Sequence, residues 1–148
     1  MGKRYTNLNN LISDVKSDID KSLKNEVFDE IRAIELEHVQ KDMLDAYSPK
    51  DYVRRQKMGI DDPQNIVGVV SGGELVVDNV TPFNPDYFTV NRGIGLAELI
   101  NYGNGHFYYD YPGSFERPRP FIDRTRIEVA KSDRIKKALE KAMKKKGW

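Results

Sequence analysis

The side chains that can do chemistry in this sequence are few and scattered. The two histidines are His38 and His106, and the chain contains no cysteine. His38 lies three residues after Glu35 and four before Asp42, so the three share a helical face that can hold a cation. Charged helix faces are usually solvated, and we therefore expect a solvated face here rather than a metal site. His106 precedes an aromatic stretch, where we expect it to pack or to lie at an interface.

No residue pattern typical of an enzyme accompanies these side chains. None of the serines lies in a nucleophile elbow. Residues 91–95 are rich in glycine but lack the Gly-Lys-Ser/Thr ending of a phosphate-binding loop. Asp61 and Asp62 precede Pro63 and predict a turn, and no strand lysine accompanies them as a nuclease would require. The sequence therefore predicts no catalytic residue, no cofactor, no metal and no enzyme activity.

Aromatic residues are concentrated in one short stretch. Of the fourteen Phe and Tyr residues, six lie close together: Tyr102, Phe107, Tyr108, Tyr109, Tyr111 and Phe115. A strand over residues 106–111 has aromatics on both faces, and both must be buried. The second face needs a covering loop, a partner subunit or a nucleic-acid base. We expect half of such aromatic stretches to be ordinary core. For the other half, subunit contacts are favoured over nucleic-acid binding, because tyrosine is enriched at interfaces.

Charge is distributed unevenly along the chain. The net charge is +1, but residues 116–148 carry 12 basic and 5 acidic side chains, hence +7, and the remainder carries −6. This asymmetry predicts pairing within one subunit, pairing between neighbours, or contact with nucleic acid. Lysines at the end of a helix are also favourable simply because of the helix dipole. The candidate assembly interface that we predict comprises Tyr102, Tyr108, Tyr109, Tyr111, Arg117, Arg119, Lys144, Lys145 and Lys146.

The first part of the chain has the pattern of a long helix. Apolar residues recur at steps of three to five from Leu11 to Met43, with neither Pro nor Gly between Lys3 and Tyr47. Asn9 or Asn10 is the predicted cap. A straight helix of this length would run roughly 55 Å, whereas a domain of this size is roughly 40 Å across. We therefore predict a break within residues 22–25, or a helix that projects from the body.

The rest of the sequence predicts a small sheet and a terminal helix. Two valine-rich runs, 66–70 and 75–80, flank a Gly-Gly turn and predict a β-hairpin. Residues 96–103 predict a short helix closed by Gly103, and Pro120 is the predicted first residue of the last helix, with a kink at Ser132 and Asp133. The fold class is α+β, with a long N-terminal helical region, a small antiparallel sheet with a β-hairpin and a basic C-terminal helix. We predict a single domain, 1–148, divided into a helical N-terminus (1–46), a β-rich body (47–119) and a C-terminal helix (120–148).

Four phrases follow one another in a characteristic order. They are IELEHVQ at 34–40, YSPKDYVRR at 47–55, LINYG at 99–103 and RPRPFI at 117–122. Over roughly residues 30–148 the chain resembles the gene-ten-like tail-component family of siphophages, which comprises minor capsid, tail completion and head–tail joining proteins. The family commonly has a Thr-Gly pair followed by Leu where this chain has Lys50-Asp51-Tyr52.

The resemblance implies a structural protein without a catalytic site. Such a protein forms a ring in the virion neck, a hexamer by the six-fold symmetry of the tail tube, and its partners are the connector or head-closure protein and the tail terminator or tail tube protein. DNA passes through the lumen of such a ring. The alternatives are a tail terminator, a head-closure ring protein, or, from another class, a nucleic-acid-binding module that uses the basic C-terminal helix.

The composition also bears on where the protein works. No apolar run approaches the roughly 18 residues that span a bilayer, and the first residues lack the apolar stretch of a signal peptide. The absence of cysteine suits a particle assembled in a reducing cytoplasm. We expect a virion protein that is assembled in the host cytoplasm and has no membrane partner.

Overall fold

The N-terminal third of the protein is helical. The computed structural model describes residues 3–46, 57–83, 95–103 and 117–148. Helix α1 spans Leu8–Ser22 and helix α2 spans Phe28–His38, and each is followed by a π-helical segment, Leu23–Val27 and Val39–Leu44 respectively. The cap of α1 is Asn7, whose Oδ1 accepts a hydrogen bond from the amide of Asn9 at 2.8 Å. The long helix is therefore present, but it begins before the two asparagines predicted to cap it.

The predicted break at residues 22–25 is wrong. The chain stays helical there and widens into the π-helical segment Leu23–Val27. Ser22 is completely buried, its hydroxyl donates to the carbonyl of Asp18 at 2.8 Å, and its Oγ lies 3.6 Å from Sδ of Met143 in the C-terminal part of the chain. Because this packing holds the helix at its weakest point, the backbone changes its hydrogen-bond pattern without leaving the helix.

The only described sheet is a two-stranded antiparallel hairpin. Strand β1 spans Ile66–Ser71 and strand β2 spans Glu74–Asn79, with Ile66 opposite Asn79 and Ser71 opposite Glu74. Gly72 and Gly73 form the turn with φ of +59° and +82°, a left-handed pair that suits a two-residue hairpin turn. The predicted hairpin is confirmed. The predicted strand over residues 106–111 lies outside the described residues.

One face of the hairpin packs against α2. Inward and outward residues alternate along both strands, as the period of two in a strand requires. Gly68 faces inward, where a β-carbon would lie 2.6 Å from Cδ2 of Phe28. Glycine in a strand usually weakens it, and here it admits the Phe28 ring against the backbone.

Three helices complete the described fold. Helix α3 spans Leu96–Tyr102, α4 spans Phe121–Lys131 and α5 spans Arg134–Lys145. Gly103 ends α3 with φ of +76°, as predicted, and Ser132 and Asp133 separate α4 from α5 at the predicted kink. Pro120 precedes α4 and is not its first residue. Oδ1 of Asn101 accepts hydrogen bonds from the amides of Ile122 at 2.9 Å and Asp123 at 3.3 Å, so a side chain of α3 caps α4.

The main apolar core lies where these helices meet the second π-helical segment. Its members are buried aliphatic residues from several elements and one phenylalanine: Val39, Met43, Ile60, Leu96, Ala97, Leu99, Ile100 and Phe121. Phe121 is completely buried. The protein is α+β, with a long N-terminal helix, a two-stranded antiparallel sheet and helices at the C-terminal end.

Candidate functional site

Arg134 connects three helices through carboxylates. Its Nε donates to Oε1 of Glu30 at 2.6 Å, and its two terminal nitrogens bind both oxygens of Glu37 at 2.8 and 2.9 Å. A further contact reaches Oε1 of Glu128 at 3.0 Å. The hydrogen bonds to Glu37 and Glu30 raise the pKa of Arg134, and those from Arg134 lower the pKa of Glu37. This arginine therefore joins the start of α5 to α2 and α4.

His38 also joins α2 to α4, close to the contacts of Arg134. Its Nδ1 lies 2.6 Å from Oδ2 of Asp42, and its Nε2 lies 2.9 Å from Oε2 of Glu128. Asp42 also accepts a hydrogen bond from Arg124. Each ring nitrogen of His38 thus faces a carboxylate oxygen, one from the second π-helical segment and one from α4. The expectation of a merely solvated face is wrong, because α4 covers His38 and Asp42.

Glu35 takes no part in that cluster and holds the hairpin instead. Its Oε1 accepts a hydrogen bond from Nδ2 of Asn79 at 2.8 Å. Oδ1 of Asn79 accepts in turn from the amide of Thr81 at 3.1 Å and from its hydroxyl at 2.5 Å. Burial raises the pKa of Glu35, against the opposing effect of the bond from Asn79. The three side chains predicted to share a face are thus divided between two tertiary contacts.

The two ends of the described chain are joined at Trp148. Its indole Nε1 donates to Oδ2 of Asp18 at 2.9 Å, and its ring stacks on Tyr5 with centroids 5.9 Å apart. The ammonium of Lys3 lies 4.8 Å from the centre of the Trp148 ring and also binds Asp18. The hydrogen bond from Lys3 lowers the pKa of Asp18. These contacts hold the segment after α5 against α1.

The outward side of α5 forms a basic surface. It consists of five exposed lysines, here called the lysine face: Lys136, Lys137, Lys141, Lys144 and Lys145. Their steps of one, three and four residues place them along one side of the helix, with Glu140 among them. Within the described ranges no salt bridge involves these lysines, whereas Arg124, Arg134 and Lys146 all pair with carboxylates of the N-terminal helices. The lysine face carries +4 when Glu140 is included.

The outward side of the hairpin forms an apolar and acidic surface. It comprises the six side chains of β1 and β2 that face away from α2, here called the hairpin face: Val67, Val69, Ser71, Glu74, Val76 and Asp78. Val69 and Val76 are cross-strand partners and are 65% and 59% exposed. Residues 58–83 contain four carboxylates and no basic residue, so this part of the chain carries −4.

The lysine face and the hairpin face belong to opposite sides of α2. Phe28 and Glu35 point to the hairpin, whereas Glu30 and Glu37 bind Arg134 at the start of α5. Glu30 follows Phe28 by two positions, and Glu37 follows Glu35 by two positions. A step of two residues is about 200° around a helix. Because each surface faces away from α2, the basic and the acidic surface point away from each other.

The predicted interface residues are distributed over several places. The Tyr102 hydroxyl lies 3.4 Å from both Oδ1 of Asp123 and a nitrogen of Arg126. Arg117 is exposed, and the Arg119 amide donates to the carbonyl of Ile100 at 2.9 Å. Lys144 and Lys145 belong to the lysine face. Tyr108, Tyr109 and Tyr111, like His106, lie outside the described residues.

Lys146 is directed inward, in contrast to its two neighbours. Its Nζ donates to the hydroxyl of Ser22 at 3.0 Å and lies 3.9 Å from Oε2 of Glu26. The sequence reasoning also missed Arg134 and the hairpin face. The two-residue period of a strand was the available signal for the hairpin face, because it marks which valines share a side.

Neither a metal site nor a membrane span is found in the part of the chain that the structure describes. No group of three His, Asp or Glu side chains there is arranged to hold a metal ion. Among the helices of the described ranges, none has an apolar stretch sufficient to cross a bilayer.

Comparison with known proteins gives one match, to a family model. The model of the YomN family matches residues 7–145, nearly the whole chain. Neither a curated protein nor a solved structure matches significantly. The match agrees with the phage origin implied by the sequence resemblance at that coarser level. The chain belongs to the YomN family, which is a family of phage-derived proteins.

Proposed function

We propose that this protein is a structural, non-enzymatic subunit of the neck of a tailed phage, where it forms a ring that joins the head connector to the tail. The observation that carries the proposal is the separation of a basic and an acidic surface onto opposite sides of α2 in a phage-derived chain. Identical subunits with two complementary surfaces that point away from each other associate head to tail, and such contacts form a ring when the rotation between neighbours closes.

The internal ion network supports the same proposal. Arg134, His38 and Arg124 bind carboxylates of α2, α4 and the second π-helical segment. These contacts hold α5 and its lysine face in a defined orientation relative to the hairpin. A ring subunit needs such a fixed angle between its two contact surfaces, because that angle determines whether the ring closes.

The test is electron microscopy of purified particles of the phage that encodes the chain, with an antibody against the chain as label. We expect the label at the neck, between head and tail, in a cyclic arrangement. The ring positions of tail completion, tail terminator and head closure are distinguished by the height of the density along the neck. Label on the capsid shell or tail tip, or none on the particle, would contradict the proposal.

A second candidate, a nucleic-acid-binding module, is favoured by the lysine face alone. Five exposed lysines along one helix are a surface that can neutralise phosphates. Binding of this kind weakens steeply with salt. Measurement of the affinity of the isolated chain for duplex DNA between about 50 and 200 mM salt, where phosphate binding loses orders of magnitude, tests this candidate.

A further inference from the structure

The two outward surfaces differ in charge and in apolar character. The lysine face carries +4 with Glu140 included, and the hairpin face carries −2, from Glu74 and Asp78. Within the described part of the chain the two surfaces lie on opposite sides of α2, and no salt bridge there involves these lysines or these two carboxylates. Each surface is therefore open to contact with another molecule.

We infer that the hairpin face of one copy docks on the lysine face of the next copy of this chain. The inference rests on the proposed ring and names the surfaces that form its repeated contact. The carboxylates of Glu74 and Asp78 accept hydrogen bonds from lysine ammonium groups. The aliphatic stems of the lysines cover Val69 and Val76, since long basic side chains bury their methylenes on apolar surface while the charged head stays hydrated.

Charge complementarity selects a second copy over DNA as the occupant of the lysine face. A DNA duplex would satisfy the lysines but would leave the valines of the hairpin face exposed. A second copy satisfies both surfaces with one contact, and repetition of that contact generates the cyclic arrangement.

Cysteine cross-linking tests the contact directly, because the natural chain has no cysteine. The test variant carries Val76→Cys and Lys141→Cys, one substitution on each surface. Under mild oxidation at low salt we expect a ladder of disulfide-linked oligomers beyond the dimer. The matched control carries Ile127→Cys, an exposed position on α4, together with Lys141→Cys, and should give no such ladder.

Charge reversal then tests the pairing. In the cross-linking background we expect Glu74→Lys with Asp78→Lys to reduce the ladder at least about tenfold, which corresponds to about 1.4 kcal/mol. Lys137→Glu with Lys144→Glu should do the same. A mixture of the two reversed variants should restore cross-linking, since each hairpin face then meets a lysine face of opposite charge.

Three results would overturn the inference. They are a ladder no stronger than that of the control, no restoration on mixing, and loss of duplex-DNA binding on lysine reversal without any change in the ladder. The last outcome assigns the lysine face to DNA. The position of the protein in the particle is measured separately by microscopy. A neck ring without these cross-links would refute only the contact, and cross-links in a protein absent from the neck would refute only the proposed location.

Discussion

Glu35 shows how one buried side chain couples the hairpin to the solvent pH. Burial raises its pKa above the ordinary value of 4.5. The folded state therefore holds this proton more tightly than the unfolded state does. Stability is highest below the unfolded pKa of Glu35 and falls as the pH rises through the raised pKa. At neutral pH the ionised carboxylate is a cost to the fold, which the hydrogen bond from Asn79 offsets in part.

Replacement of Glu35 by Gln should remove that cost. The amide oxygen still accepts the hydrogen bond from Asn79 Nδ2, and the buried negative charge is gone. We expect Glu35→Gln to raise the melting temperature at pH 7, with a gain that shrinks as the pH falls through the raised pKa of Glu35 toward the ordinary glutamate pKa. Calorimetry from pH 3 to 8 measures this. A gain that is equal at both ends of the range would show that Glu35 is not the titrating group.

Among the residues that the structure describes, Phe121 is the largest side chain that is completely buried. It is the first residue of α4 and lies in the core cluster with Leu99 and Val39. Loss of the ring leaves a cavity that the rigid neighbours cannot fill. We expect Phe121→Ala to lower the free energy of unfolding by about 3–5 kcal/mol. Urea denaturation measures this, and Ile127→Ala on the exposed side of the same helix is the control, within about 0.5 kcal/mol of the natural chain. An unchanged Phe121→Ala midpoint would remove Phe121 from the core.

At the scale of elements, the attachment of α5 depends on Arg134. Its three carboxylate partners come from α2 and α4, and its removal leaves Glu30, Glu37 and Glu128 close together without a cation. We expect Arg134→Met to cost about 1.5–3 kcal/mol, the range for hydrogen bonds to charged groups. The loss should be larger at pH 7 than at pH 3, because Arg134 lowers the pKa of Glu37 and that stabilisation disappears when the carboxylates are protonated.

A matched arginine on the surface provides the control for that change. Arg126 is more exposed and forms a single salt bridge, with Asp123 at 3.5 Å, three residues before it. Surface pairs of this kind contribute little, and Arg126→Met should stay within about 0.5 kcal/mol. Both variants are compared by denaturation at the two pH values. Equal effects of the two substitutions would contradict the role assigned to Arg134.

The elements that the sequence predicts correctly are those defined by local patterns. The hairpin follows from a period of two around Gly72 and Gly73, and α3 from its closing Gly103. The π-helical segment Leu23–Val27 was not predicted, because it depends on the packing of Ser22 against Met143, 121 residues away. Hydrophobic periodicity in the sequence does not reveal contacts between residues so far apart along the chain.

The candidate site was predictable only in part for the same reason. The charge excess in the C-terminal segment pointed to pairing, but composition does not say which cations pair internally. Arg134 reaches Glu30 across 104 residues and Glu37 across 97. Lys146 was grouped with Lys144 and Lys145 from sequence, yet a helix turns about 100° per residue. One residue of difference is enough to place Lys146 toward Ser22 while its neighbours face outward.

At the scale of the whole molecule, folding divides the basic charge into two classes. Arg124, Arg134 and Lys146 neutralise carboxylates of the N-terminal helices, and the lysine face is left outward. The net charge of −6 on the rest of the chain is thereby neutralised in part within the subunit. Residues 58–83, which contain the hairpin, carry −4. The uneven charge along the sequence therefore becomes a charge polarity of the folded subunit, with the basic and the acidic surface on opposite sides of α2. In the proposed ring, this polarity gives every copy an acidic surface for one neighbour and a basic surface for the other.

The biological consequence of that polarity is measurable in the phage. The lumen of a neck ring must let DNA slide, and a dense basic lining would add phosphate contacts that slow its passage. We therefore expect the lysine face to act at protein interfaces. Lys141→Glu, Lys144→Glu and Lys145→Glu together should impair the joining of heads and tails in a complementation assay and leave DNA packaging into heads unchanged. Lys146 is left intact, because its hydrogen bond to Ser22 stabilises the fold. Loss of that bond would lower stability, and a defect in assembly could then result from unfolding.

The triple variant needs a control for folding and a result that can refute it. Arg126→Glu with Ile127→Glu places new negative charge on the exposed side of α4, away from both surfaces, and should complement as the natural gene does. The melting temperature of the triple variant should match that of the natural chain, since none of the three lysines forms a salt bridge within the described residues. Failure of packaging with normal joining of heads and tails would mean that the lysine face works on DNA, because a defect confined to packaging cannot arise from a contact between neck subunits alone.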